Sequence, residues 1–179
     1  GHGPNTQVAA LLKKAFSEVM SMTPSVNIPT GEGALDINEV MKILPHRYPF
    51  LLLDRIVKFE GENKCTGIKS VTINEPFFQG HFPGQPVMPG VLSLESIAQT
   101  TAFLMLHELD DPLKKNMFIS GLDKVRYRQL ITPGDQLHIN IRLKSKKLTL
   151  YKFEGTIKID GQLAVQALIT SNLVDRVEV

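Results

Sequence analysis

Residues 79–99 read QGHFPGQPVMPGVLSLESIAQ and gather several groups suited to acid–base chemistry. Glu95 stands alone as an acid in an apolar stretch where a core helix would carry leucine. Burial in such a helix raises a carboxyl pKa, so this acid can keep its proton near neutral pH and donate it. Gln99 follows one helical turn later on the same face, placed to orient the carboxyl by hydrogen bonding. The bland alternative is a solvent-facing glutamate on an incompletely covered helix. His81, fourteen residues before Glu95, lies in a loop stiffened by Pro83, Pro86 and Pro89. Imidazole titrates near neutral pH and is the usual general base. Pro89 suits the first turn of a helix, and Gly90 leaves the N-terminal N–H groups open to a carbonyl oxygen that they would polarise. A base, an acid and an electrophilic helix end are the parts needed to remove a proton beside a carbonyl and expel hydroxyl from the next carbon.

These groups need a frame. Apolar residues from Val91 to Leu106 go most of the way round a helix spanning about 89–109, which must be buried on several sides. Strands are expected near 51–60 and 64–73. Leu137, Ile139, Ile141 and Leu143 alternate with polar residues, as a half-buried antiparallel strand does. Tyr151, Phe153, Ile157 and Ile159 repeat the pattern, with Gly155 marking a bulge or bend. Asp160-Gly161 is a two-residue hairpin turn, after which Leu163, Val165, Ala167 and Ile169 form the partner face. Pro133-Gly134-Asp135 supplies another turn. Asp36 and Glu39 form an N-cap pair ahead of a short helix that Pro45 ends. The fold class is α+β, with about six strands wrapped around one helix. Such a sheet has open edges, so pairing with a second copy is expected.

At 179 residues the chain suits one domain with a full core, and 42% hydrophobic with 21% charged residues places it among globular proteins. A net charge of +2 offers no argument for nucleic-acid binding. Cys65 has no partner for an internal disulfide, fits a reducing compartment and reads as a small buried strand residue. Polar residues interrupt the best membrane-span candidate, 91–106, so a soluble protein is expected. Residues 1–34 read as an appendage: GHGPNTQ as an expression remnant, a helix over 8–20, then a Pro/Ser/Thr/Gly-rich linker. The domain proper is placed at 35–179. No metal or nucleotide cofactor is indicated, because His46, His107 and His138 form no ligand set and the Gly31/Gly33 pair follows no strand.

Three blocks carry a family likeness: LPHRYPFLLLDR (44–55), NEPFFQGHFPGQPVMPGVLSLESIAQ (74–99) and DKVRYRQLITPGDQL (123–137). In type and order they resemble the signature blocks of the β-hydroxyacyl-[acyl carrier protein] dehydratases of type II fatty acid synthesis, over about 35–174. The resemblance implies a hot-dog fold, homodimers that assemble as trimers of dimers, and a cytoplasmic or plastid-like setting. It implies His81 as base and Glu95 as acid, meeting across a dimer interface. Gly90 would hold the thioester carbonyl and Gln99 would support Glu95. Phe118 would gate the acyl chain; Phe82, next to the base, and Val91 are further candidate contacts with that chain, with plain core as the alternative for Phe82. Glutamate at the acid position favours simple dehydration, since the dehydratase/isomerase branch generally carries aspartate there.

Phe77, Phe78, Met88 and Phe103 are further candidates for an acyl tunnel, with plain core as the alternative. Lys124, Arg126 and Arg128 recur every second residue, a spacing that puts them on one strand face. They suit an acidic partner such as acyl carrier protein with its phosphopantetheine arm, with a solvated charged face as the bland alternative. Two competing readings stand beside the dehydratase: a hot-dog thioesterase, which leaves His81 idle, and a non-catalytic acyl-binding module.

Overall fold

The computed structural model describes residues 34–177, and before them only the helical residues 8, 10, 11, 13 and 14. The rest of the expected 8–20 helix and its linker lie outside the described residues. The fold described below belongs to the unit Gly31–Val179.

A short helix α1, Ile37–Ile43, begins where Asp36 Oδ1 accepts from the N–H groups of Asn38 (2.9 Å) and Glu39 (3.1 Å). Strands β1 (Arg55–Phe59) and β2 (Lys64–Ser70) follow, then the long helix α2, Gly90–Leu106. The chain ends in β3 (Lys115–Tyr127), β4 (Gln136–Lys147), β5 (Leu150–Ile159) and β6 (Gln162–Asp175). All pairings are antiparallel and the sheet order is β1-β2-β4-β5-β6-β3. The Asp160-Gly161 turn takes positive φ at both residues, +49° and +78°, as a type I′ hairpin requires.

The alternating residues of β4 and β5 point inward and pack on α2, whose Ile97, Phe103, Leu104 and Leu106 are fully buried. Each such side chain contributes about 1.5–3 kcal/mol of transfer free energy. The sheet therefore wraps one helix. No helix among the described residues is long and apolar enough to cross a membrane.

Four local expectations differ from the structure. Strand β1 starts only at Arg55, because Leu52 and Leu53 are buried outside the sheet beside α2. The second strand stops at Ser70 rather than near 73, where the chain turns away: Val71 N–H donates to the Asp135 carbonyl. In β6 a bulge at Ala164 buries that residue and takes Leu163 out of the alternation. Gly155 makes no bulge: it pairs in regular register with Ile141 and Ala167. A Cβ there would stand 2.3 Å from Ile97 Cγ2, so glycine is required where α2 presses against the sheet.

The edge strand β3 has thirteen residues, and its Phe118, Ile119, Leu122 and Tyr127 are exposed. A long apolar edge of this kind is a template for strand pairing.

Candidate active site

Glu95 lies in the second turn of α2 and is half-buried. Burial pushes its carboxyl above the usual glutamate range, and the hydrogen bond from Gln99 pulls it part of the way back. Gln99 is itself immobilised. Its Nε2 donates to Glu95 Oε1 (3.0 Å) and to the Phe50 carbonyl (2.7 Å), while its Oε1 accepts from Leu52 N–H (2.9 Å). Segment 50–52 thus fixes the amide, and the amide fixes the acid.

A cavity of about 280 Å³ opens beside this acid. Glu95, Ala98, Gln99, Ala102 and Leu106 line it along one face of α2, and Met117 to Ile119 of β3 form the opposite wall. From Glu95 to Leu106 the helix rises about 16 Å at 1.5 Å per residue. The small side chains of Ala98 and Ala102 leave a channel with an acid at one end and an apolar floor. Such a channel suits an extended hydrocarbon chain whose reacting end lies at the carboxyl.

His81 sits in a loop tied down by its own backbone. Its N–H donates to the Phe77 carbonyl (3.0 Å) and its carbonyl accepts from Val87 N–H (3.0 Å). Phe82 and Gln85 exchange two hydrogen bonds of 3.0 Å, and Met88 N–H reaches the Ile131 carbonyl at 2.8 Å. The imidazole Nδ1 lies 2.6 Å from the Val87 carbonyl, an acceptor, so Nδ1 carries the hydrogen. In the neutral ring this tautomer leaves the lone pair on Nε2, the arrangement a general base needs. No residue of 79–89 lines the cavity beside Glu95. The chain on its own does not bring the histidine's loop to the acid's cavity.

Gly90 is the first residue of α2, where an N–H has no partner within the helix. A Cβ at this position would stand 2.8 Å from Tyr127 Cε1, so packing as well as chemistry demands glycine. Phe118 lines the cavity while more than half exposed, at its opening. Phe82 stacks on the His81 ring at 3.9 Å and is also half exposed. Val91 is 70% exposed and away from the cavity. Of the further tunnel candidates, Phe78, Met88 and Phe103 belong to the core, Phe77 packs against it, and none lines the cavity.

The cations do not sit on a regular strand face. A bulge between Asp123 and Arg126, with Lys124 at φ +51°, breaks the alternation, and Arg128 lies beyond the end of β3. All three are exposed. Arg128 Nη2 donates to Gln166 Oε1 at 3.0 Å, and Lys124 borders a hollow that includes Gln166, Lys144 and Glu154. Burial pushes the Cys65 thiol up to about 12, which leaves it an inert core residue.

Sequence reasoning named Phe118 of the β3 wall but missed Ala98, Ala102, Met117 and Ile119, which carry no chemical signature. It also missed His46, whose Nε2 lies 3.6 Å from Glu95 Oε1. The available signal was its setting between Pro45 and Pro49, which repeats the proline-framed setting of His81.

A six-stranded antiparallel sheet wrapped around one long helix is the hot-dog architecture. A solved dehydratase heterocomplex from Xenorhabdus doucetiae shares the fold with a TM-score of 0.65 and 22% identity, over 76% of this chain and 91% of that one. The FabA-like domain family matches residues 44–168. The 3-hydroxyacyl-[acyl-carrier-protein] dehydratase FabZ of Nitratidesulfovibrio vulgaris is 44% identical over 147 residues, covering 82% of this chain and 96% of that protein. The bifunctional enzyme LpxC/FabZ of Chlorobaculum tepidum is 38% identical over 98% of this chain and 38% of its own length, so it also matches nearly all of residues 1–34. The chain belongs to the FabZ family of 3-hydroxyacyl-[acyl-carrier-protein] dehydratases.

Proposed function

We infer that the chain dehydrates (3R)-3-hydroxyacyl-[acyl carrier protein] to the trans-2-enoyl form in fatty acid synthesis, as its family membership states. The observation that carries the site assignment is the half-buried Glu95 carboxyl, clamped by Gln99 at the head of an acyl-sized channel. In this reading His81 Nε2 takes the α-proton, and the C–H electron pair becomes the Cα–Cβ π bond. The Cβ–O bond breaks as Glu95 protonates the departing hydroxyl, which leaves as water. The N–H of Gly90 at the positive end of α2 holds the thioester oxygen as charge develops on it. Proton transfer from His81 back to Glu95 resets the pair.

Since the channel beside Glu95 is not lined by the His81 loop, the histidine is assigned to a second copy of the chain. The apolar edge β3 is the surface proposed to pair with that copy. Dimers joining as a trimer of dimers, and a cytoplasmic setting, follow from the same family reading. The domain proposed to do this work is 35–179. The segment 1–34, matched in the bifunctional relative, is proposed to be natural sequence rather than an expression remnant.

Absorbance of the enoyl thioester, formed from a 3-hydroxyacyl thioester without release of free thiol, is the expected result. Free thiol would identify a thioesterase instead, and tight binding without turnover an acyl-binding module. The channel adds a specificity prediction. Ala102→Phe fills its middle, so kcat/KM for a long acyl chain should fall at least about 10-fold relative to a short one. Parallel losses for both lengths would mean that the chain does not run along α2.

Lys124, Arg126 and Arg128 are proposed to dock the acidic carrier protein near β3. Arg126→Glu should raise KM for carrier-bound substrate and leave KM for a small thioester analogue unchanged. An equal effect on the two substrates would place docking elsewhere.

A further inference from the structure

His46 is a half-buried histidine beside the acid that the reaction above leaves without a role. It follows α1 in the segment Pro45–Phe50, which bends back over α2. Arg47 shapes the bend: its guanidinium donates to the carbonyls of Met41 (2.9 Å), Leu44 (2.8 Å) and His46 (2.6 Å). The N–H groups of Phe50 and Leu51 return to the Arg47 carbonyl at 2.8 and 3.0 Å. The His46 ring stacks on Phe50 with centroids 6.4 Å apart, and Phe50 supplies the carbonyl that holds Gln99.

The two ring nitrogens have different surroundings. Nε2 faces Glu95 Oε1 at 3.6 Å. Nδ1 is buried and has no hydrogen-bond partner. A hydrogen on Nδ1 would be an unsatisfied buried donor, whereas a bare lone pair costs less, so the hydrogen belongs on Nε2. Burial and the neighbouring Arg47 charge both hold the imidazole below its usual pKa and keep it neutral. With Nδ1 buried and unpartnered, the neutral ring presents its Nε2–H toward Glu95.

Resting on the assignment of Glu95 as the acid, we propose that His46 is a positioning residue which, together with Gln99, directs both available donors to Glu95 Oε1 and so keeps the transferable proton on Oε2. An acid anchored through one oxygen presents the other to the departing hydroxyl. As the proton leaves, negative charge spreads onto Oε1, where the Gln99 hydrogen bond (3.0 Å) is already made. The His46 Nε2 stands 3.6 Å away, close enough to shorten into a hydrogen bond in the transition state. This role also explains why the block LPHRYPF, which forms no strand, lies over the acid: it carries His46 and the Phe50 carbonyl together.

The test compares wild type with His46→Phe, which keeps an aromatic ring but removes the donor, and His46→Gln, which restores an N–H at similar reach. Substrate is a 3-hydroxyacyl thioester and the readouts are kcat, KM and the pH profile of kcat. His46→Phe should lower kcat about 10- to 100-fold with KM unchanged. A lost donor destabilises the carboxylate, so Glu95 should hold its proton to higher pH and the alkaline limb of kcat should move up. Arg47, the charged group beside His46, is retained throughout. His46→Gln should recover most of kcat and return the limb toward wild type. His46→Asn, too short to reach Oε1, replaces the phenylalanine variant if that one does not fold. A donor-free variant with wild-type kcat and an unmoved limb would overturn the proposal, as would a glutamine variant no better than the donor-free one. Glu95→Gln assayed in parallel separates the two levels. If it stays active, the acid assignment fails; if it is inactive while His46→Phe is normal, only the role of His46 fails.

Discussion

Glu95→Gln lowers kcat by about 10²- to 10⁴-fold, the range that a lost general acid produces. Glutamine keeps the size of the side chain and its hydrogen-bonding oxygen, so the Gln99 clamp and the channel survive. What it lacks is a proton to give. KM should therefore change little, since the proposed ground-state contacts with the acyl chain run along the cavity lined by Ala98, Ala102 and the β3 wall. The pH dependence has a definite sign. Burial raises the Glu95 pKa, so the acid form persists to higher pH than an ordinary glutamate allows and is lost only above that raised value. Wild-type kcat should decline on the alkaline side for this reason, and the residual activity of Glu95→Gln should lack that decline. A glutamine variant with near-normal turnover would remove Glu95 from the mechanism.

Mixing two inactive variants, His81→Ala and Glu95→Gln, should restore turnover. If each site takes His81 from one chain and Glu95 from its partner, a mixed dimer has one site with both defects and one with neither. Random exchange makes half of the dimers mixed, each with one working site of two, so activity should approach about a quarter of wild type under two-fold symmetry. Unmixed controls should stay inactive, and recovery should follow the rate of subunit exchange. Absence of recovery after demonstrated exchange would place both residues in one chain. The prediction follows from the separation between the His81 loop and the channel at Glu95.

Several local features expected of 79–99 are present in the structure. Glu95 is half-buried on the helix, Gln99 does hold it, and His81 is framed by its loop with Nε2 free. These features were legible because they follow from neighbours in the chain: a four-residue helical spacing and a run of prolines. Gly155 shows the opposite case. Glycine in a strand has several possible reasons, and only the packed helix reveals that Ile97 occupies the space a Cβ would need. Val91 likewise matches an apolar helix pattern, yet it is 70% exposed and is not among the residues lining the cavity.

The sequence by itself determined the elements and the chemical groups, because alternation of period two, helical periodicity and turn residues are local properties of the chain. It also identified the family, through three blocks of residues in fixed order. The tertiary structure decided where the cavity beside the acid lies and what holds the acid. Gln99 is clamped by Phe50 and Leu52, which are 49 and 47 residues away, and His46 reaches Glu95 across a similar gap. The channel exists because two alanines of α2 face a strand that follows the helix. Contacts of that range depend on how separate elements pack against one another, which no local pattern encodes.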